Sequence, residues 1–180
     1  TGSELAGQAG VKSLDLNGFR DYYKASGVHF SGGKIDANAD VLIKDNGLEL
    51  NIDGRMDNFS ADRDGFRIRL DSLMKLMVLY TIADKKIEYA GKLDVSRMDL
   101  AGIEGIGNLE NIKANIEFDD SRLWSENIIA DAYGMRWKAR VNIFNYASPI
   151  FDVYADSEGR LSVIRKMLDE RGVKAEHVRY

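Results

Sequence analysis

The side chains able to do chemistry are few and scattered. Two histidines, His29 and His177, lie far apart, each inside a strand-like stretch. A metal ligand or a member of a catalytic triad needs partners at a fixed spacing, and neither has them. Both read as solvent-facing or edge-strand residues. The acidic pair Asp119-Asp120 suggests a cation site. Its position between two alternating runs favours a hairpin turn, a geometry that aspartate accepts readily. Asp62, Asp64 and Gly65 read as a turn in the same way. With no cysteine in the chain there is no disulfide, thiolate nucleophile, cysteine–zinc site or iron–sulfur site. No phosphate-binding loop, G-x-G-x-x-G after a strand, G-x-S-x-G elbow or H-E-x-x-H helix occurs. The expectation is a protein that is not an enzyme and uses no metal or cofactor.

The composition supports a packed domain. At 180 residues, with 44% apolar and 30% charged side chains and a net charge of -4, the chain is neither disordered nor collagen-like. Its 25 basic and 29 acidic residues are interspersed, leaving no basic stripe to meet a phosphate backbone, so nucleic acid is not an expected partner. The longest apolar run, Leu73 to Ala83, contains Lys75 and is far shorter than the roughly 20 residues that cross a bilayer as a helix.

The elements that would position any site are strands. Ile35, Ala37, Ala39, Val41 and Ile43 alternate with mostly polar neighbours, Asp45-Asn46-Gly47 turns the chain, and Leu48, Leu50, Ile52, Gly54 and Met56 alternate on the way back. A period of two places one set of side chains on each face of a strand, and Asn-Gly suits a tight hairpin. The alternation resumes over Phe66 to Asp71, Ile87 to Val95, Ile112 to Phe118, Leu123 to Ser125, Ile128 to Ala132, Met135 to Ile143 and Ile150 to Ala155. Residues 74–82 are apolar on both faces, as in a covered central strand. The predicted fold is mainly β: about ten strands in a long antiparallel meander sheet, curled or groove-like, with a short helix near each end.

Helical spacing marks those helices. Leu16, Phe19, Tyr22 and Tyr23 share one face. Leu161, Ile164, Met167 and Leu168 share another, with Ser157 as N-cap and Gly172 as the stop. The two segments superpose in sequence, helix for helix and Gly27-Val28 on Gly172-Val173, while Ala39, Val41 and Ile43 match Ala114, Ile116 and Phe118. This predicts a segment of a repeat array; the plainer alternative is one α+β domain with a helix at each end. The expected division is a tag or disordered edge over 1–11, the repeat domain over 12–173, and the start of a further repeat or a frayed tail over 174–180.

Several stretches carry a family rhythm. They are Leu14-Asp15-Leu16 into the first helix, Ser31 to Ala37 opening a long hairpin, Asn111 to Asp120, Tyr133-Gly134-Met135 approaching Trp137 to Val141, and Asp152-Val153-Tyr154-Ala155 running into the last helix. In these, over roughly residues 12 to 173, the chain resembles the AsmA/TamB-like group of bacterial envelope proteins. The resemblance implies a place in the periplasm or cell envelope, a parent protein anchored in the inner membrane, and a hydrophobic β-groove used in phospholipid transport or outer-membrane biogenesis. The implied partners are phospholipid acyl chains, neighbouring repeats of the parent chain, and envelope proteins at the sheet edges. The membrane anchor of such proteins is missing here, which fits an excised segment.

Residues apolar and in phase are the candidates for groove lining: Leu50, Ile52, Val78, Tyr80, Ile82, Ile87, Tyr89, Leu93, Ile116, Phe118, Trp137, Val141, Ile143 and Val153. In a closed sandwich they would be ordinary core. Two short helices, however, cannot cover the apolar face of ten strands, so either the sheet folds over itself or part of that face awaits a ligand. Two other readings stand beside the groove: a structural β-module that presents its edges to partner proteins, and a closed carrier of one small hydrophobic ligand.

Overall fold

The computed structural model describes residues 4–19, 27–44, 46–103 and 107–158. Among these, nine strands follow one another in a single antiparallel sheet whose spatial order is the chain order. They are β1 (Glu4–Asp15), β2 (His29–Lys44), β3 (Gly47–Arg63), β4 (Phe66–Thr81), β5 (Lys86–Ile103), β6 (Gly107–Asp119), β7 (Arg122–Ala132), β8 (Met135–Phe144) and β9 (Ile150–Glu158). The sheet is a meander that does not close: β1 and β9 are its two edges.

The hairpin expected from the Asn-Gly signal forms, with Ile43 opposite Leu48 and Lys44 opposite Gly47. Between β3 and β4 the turn is Asp64-Gly65. Both residues have positive φ, 52° and 85°, the backbone of a two-residue turn that matches strand twist. Other sequence boundaries shift. Residues 66–71 and 74–82 belong to the single strand β4, ending at Thr81, and residues 123–125 and 128–132 to β7. The break inside β7 is a bulge between Ser125 and Ile128, which resets the alternation and so looks like a strand end in the sequence. Residues 74–79 are not a covered strand, because Met77 stays exposed, as does Leu73 beside it, on the second face.

The helices are not seen. Of the first, the part inside the described residues, Leu16–Phe19, is a single 3-10 turn packed beside β2. Tyr22 and Tyr23 lie outside the described residues, as does the whole second segment from Leu161 to Gly172. Ser157 caps no helix: it sits in β9 opposite Trp137, and its hydroxyl donates to the Arg136 carbonyl at 3.0 Å. Residues 4–11, expected as a tag or disordered edge, form most of β1.

Cross-strand register assembles the in-phase residues into one face. One row runs through Val41, Leu50, Val78 and Tyr89 on β2 to β5, and a second links Met74, Leu93 and Ile116. Bulges lie in most of the strand pairs, and three of them share a device. Ser13, Asn58 and Asn111 each adopt a positive φ near 52°, and each donates its backbone N–H to an aspartate on the adjacent strand. The acceptors are Asp36 Oδ1 at 2.5 Å, Asp71 Oδ1 at 2.6 Å and Asp99 Oδ1 at 2.9 Å. The carboxylate satisfies a donor that the bulge removes from the ladder. Asparagine tolerates this left-handed backbone better than most residues, because its short polar side chain bonds locally.

Candidate functional site

Period-two alternation, re-phased by the bulges, gives the sheet an apolar face and a polar face. Of the fourteen candidate lining residues, thirteen stand on strands with their side chains on the apolar face. Ile82 is the exception. It lies just past β4 in the turn, its N–H donating to the Asn46 carbonyl at 3.0 Å. Leu50, Ile52, Val78, Tyr80, Leu93, Ile116, Phe118, Trp137, Val141 and Ile143 are half-buried, whereas Ile82, Ile87, Tyr89 and Val153 are exposed.

Burial on this face runs as a gradient along the strands. Toward the end carrying the Asp64-Gly65 and Tyr133-Gly134 turns it is closed. Val95 (2% exposed), Leu70 and Ala114 form the centre of the core, with Met56, Phe59 and Ile128 packed against them. Small side chains allow that closure: Ala61, Ser72, Ala114, Ser125, Ala130 and Ala132 are all buried. Two of them carry a cost. The hydroxyls of Ser72 and Ser125 are buried without a hydrogen-bond partner.

Toward the opposite end, where β2–β3, β4–β5 and β8–β9 turn, the face opens. Ile43 (43%), Ile87 (60%) and Phe151 (65%) remain exposed there, beside Tyr89. Two details shape this region. Gly91 lies between Leu76 and Phe118, and an added Cβ would meet the Phe118 ring at 2.5 Å and the Lys75 carbonyl at 2.7 Å. The missing side chain is what lets the Phe118 ring lie across the strand. Tyr89 then tilts against Phe118 with ring centroids 6.5 Å apart.

Two concavities lie on the other face. A shallow depression of about 380 Å³ is bordered by Met77, Ala90, Lys92, Glu117 and Trp124, and a smaller one of about 180 Å³ by Asn58, Arg69, Asp71 and Arg97. The larger is lined mainly by apolar surface, from Met77, Ala90 and Trp124, with Lys92 and Glu117 at its border; the smaller is lined mainly by polar and charged groups. At the open end of the apolar face, Ile43, Ile87, Tyr89 and Phe151 form exposed surface.

The polar candidates resolve into structural roles. Asp119 accepts from the Ser121 hydroxyl at 2.6 Å, the Ser121 N–H at 2.8 Å and the Arg122 N–H at 2.9 Å. These bonds, with the Ser121 hydroxyl foremost, hold its carboxyl down to about 2. Its oxygens are thus occupied in building the β6–β7 turn. His29 is exposed at the start of β2 opposite Asp62, and His177 lies outside the described residues. Among the described residues no group of three metal-ligating side chains comes together.

Sequence reasoning missed two sets of residues. The small buried side chains that seal one end carry no signal of their own, since alanine and serine in a strand look neutral. Ile43 and Phe151 were legible, being in phase with Val41 and Val153 on the same strands.

Comparisons with protein-family models, with curated proteins and with solved structures return no match. The functional reading therefore rests on the face itself.

Proposed function

We propose that this chain is a non-enzymatic module that holds phospholipid acyl chains along its apolar face. In this reading the bulged sheet curls, and the face forms part of a hydrophobic β-groove in an AsmA/TamB-like protein of the bacterial envelope. Its role is lipid transport or outer-membrane biogenesis. The observation that carries the reading is the apolar face running across all nine strands, with no second layer over its open end among the described residues. Monomeric soluble proteins rarely leave large contiguous apolar patches bare. An acyl chain suits such a surface because its burial is non-directional, worth about 0.8 kcal/mol per fully buried CH₂. A chain of about 16 carbons laid half-buried on an open face would gain roughly 6 kcal/mol before ordering costs. A scaffold reading keeps one specific support, the strands β1 and β9, each paired on one side only among the described residues.

The test is native mass spectrometry of the purified chain with organic extraction, followed by uptake of a fluorescent phospholipid. Ile87→Asp and Tyr89→Asp are the variants of choice, because both positions are exposed and the fold should survive. Ile116 would discriminate poorly, since it packs against the buried cluster. Lipid bound by the parent chain and lost in folded Ile87→Asp supports the proposal. A lipid-free protein with no uptake would refute it and leave the scaffold.

A further inference from the structure

Among the described residues β1 pairs only with β2, and its other edge is complementary to itself. Paired antiparallel with the β1 of a second copy about Gln8, it sets Glu4 opposite Lys12, Leu5 opposite Val11, Ala6 opposite Gly10 and Gly7 opposite Ala9. Gln8 then faces its own counterpart. Both ends of the pairing place opposite charges together, and both apolar pairs fall on the apolar face, because Leu5 and Val11 sit opposite Ile43 and Ala37 of β2. Direct cross-strand pairs of these kinds stabilise a sheet, and like charges in the same positions destabilise it. Among the described residues neither Glu4 nor Lys12 forms an ion pair, and β1 is exposed along nearly its whole length, Leu5 at 65%.

Symmetry narrows the choice of partner edge. In a nine-stranded antiparallel meander, β1 and β9 run the same way. Adding one copy to the next in the same orientation would make a parallel β9–β1 junction. Only a two-fold axis normal to the sheet gives antiparallel pairing while keeping apolar face beside apolar face, and it joins β1 to β1 or β9 to β9. The β9 strand carries Asp152, Asp156 and Glu158 and no basic residue, so no register there offers a charge pair. Acidic side chains on an edge are a known device against such pairing.

We propose that two copies of this chain associate through β1, in the register centred on Gln8, to form one continuous sheet with a shared apolar face. The contact is isologous and closes at two copies. The inference is independent of the lipid reading, since it rests on the β1 edge alone.

The test exploits the absence of native cysteine. In this register Gln8→Cys places two thiols directly opposite, with Cβ atoms about 5 Å apart, and it should form a disulfide-linked dimer under mild oxidation. Glu4→Cys places them eight residues out of step, roughly 27 Å apart, and should not. Sedimentation of the cysteine-free chain gives the second readout. Glu4→Lys sets like charges opposite at both ends and should weaken the dimer roughly tenfold, and the exchange Glu4→Lys with Lys12→Glu should restore it. A chain that stays monomeric throughout, equal cross-linking at positions 4 and 8, or failure of the exchanged variant to recover would each overturn the proposal.

Discussion

The burial gradient on the apolar face predicts that the smaller of two truncations costs more. Val95→Ala removes two carbons from a side chain that is 2% exposed and enclosed by Leu70 and Ala114. The transfer term is about 1.6 kcal/mol, and the residual cavity raises the total to roughly 2–3 kcal/mol. Ile87→Ala removes three carbons, worth about 2.4 kcal/mol if fully buried. Ile87 is 60% exposed, however, so roughly 1 kcal/mol is expected. The assay is urea unfolding of lipid-free protein followed by far-ultraviolet circular dichroism, with linear extrapolation at a common slope. If Ile87→Ala costs as much as Val95→Ala, the end of the face carrying Ile87 is covered in solution, and the argument for an open lipid-binding surface fails there.

Other substitutions test the local accounts. Ser125→Ala and Ser72→Ala should each stabilise by about 0.5–1 kcal/mol, because each removes a buried hydroxyl that has no partner; a loss of stability in thermal melts would mean the hydroxyls are satisfied. Asp71→Ala should cost about 1–2 kcal/mol by orphaning the Asn58 N–H. At Asn58 itself, glycine should be neutral within about 0.5 kcal/mol while valine costs roughly 1–2 kcal/mol, and equal effects would remove the backbone argument. Asp119 titrates at about 2 in the folded chain against an ordinary 3.8, so the folded state disfavours its protonation. Its contribution is intact above about pH 4 and is lost as the pH falls toward 2. Protection of the Ser121 and Arg122 amides, taken against their intrinsic exchange rate at each pH, should therefore fall in that window in the parent chain, and should already be low at neutral pH in Asp119→Ala.

Alternation was legible because a one-residue slip would turn every apolar side chain outward. The pairs Ile43–Leu48 and Ala39–Ile52 follow directly from that pattern. Bulges were not legible, since an extra residue such as Ser96 or Asn111 changes phase without any compositional mark. The same blindness split β7 in two, whereas β4 keeps one phase from Phe66 to Tyr80 and was divided because Leu73, Met77 and Leu79 put apolar residues on its second face. Of the first helix only Leu16–Phe19 lies among the described residues, and there it is a 3-10 turn, which apolar residues three apart suit as well as a helix. For the candidate site, phase alone identified which residues share a face. It could not say which end is sealed, because that depends on how closely alanines and serines let neighbouring strands' side chains approach.

Those small residues bear directly on how a single sheet can hold both a core and a binding surface. A flat sheet with one bare face would leave every side chain on it half-exposed, and no residue could reach the burial of Val95 without a second layer. Bulges break the ladder and increase local twist, and the three capped by Asp36, Asp71 and Asp99 lie on or beside the strands that enclose the core. Met56, Phe59 and Ile128 pack against Leu70, Val95 and Ala114, so among the described residues the sheet supplies its own cover at that end. Where the bulges stop, so does the cover, and Ile43, Ile87 and Phe151 are left facing outward. The aspartates thus act at a distance on the proposed site. Weakening all three caps together should expose the core before it alters the open end, and hydrogen exchange would register that as early loss of protection at Val95 and Ala114.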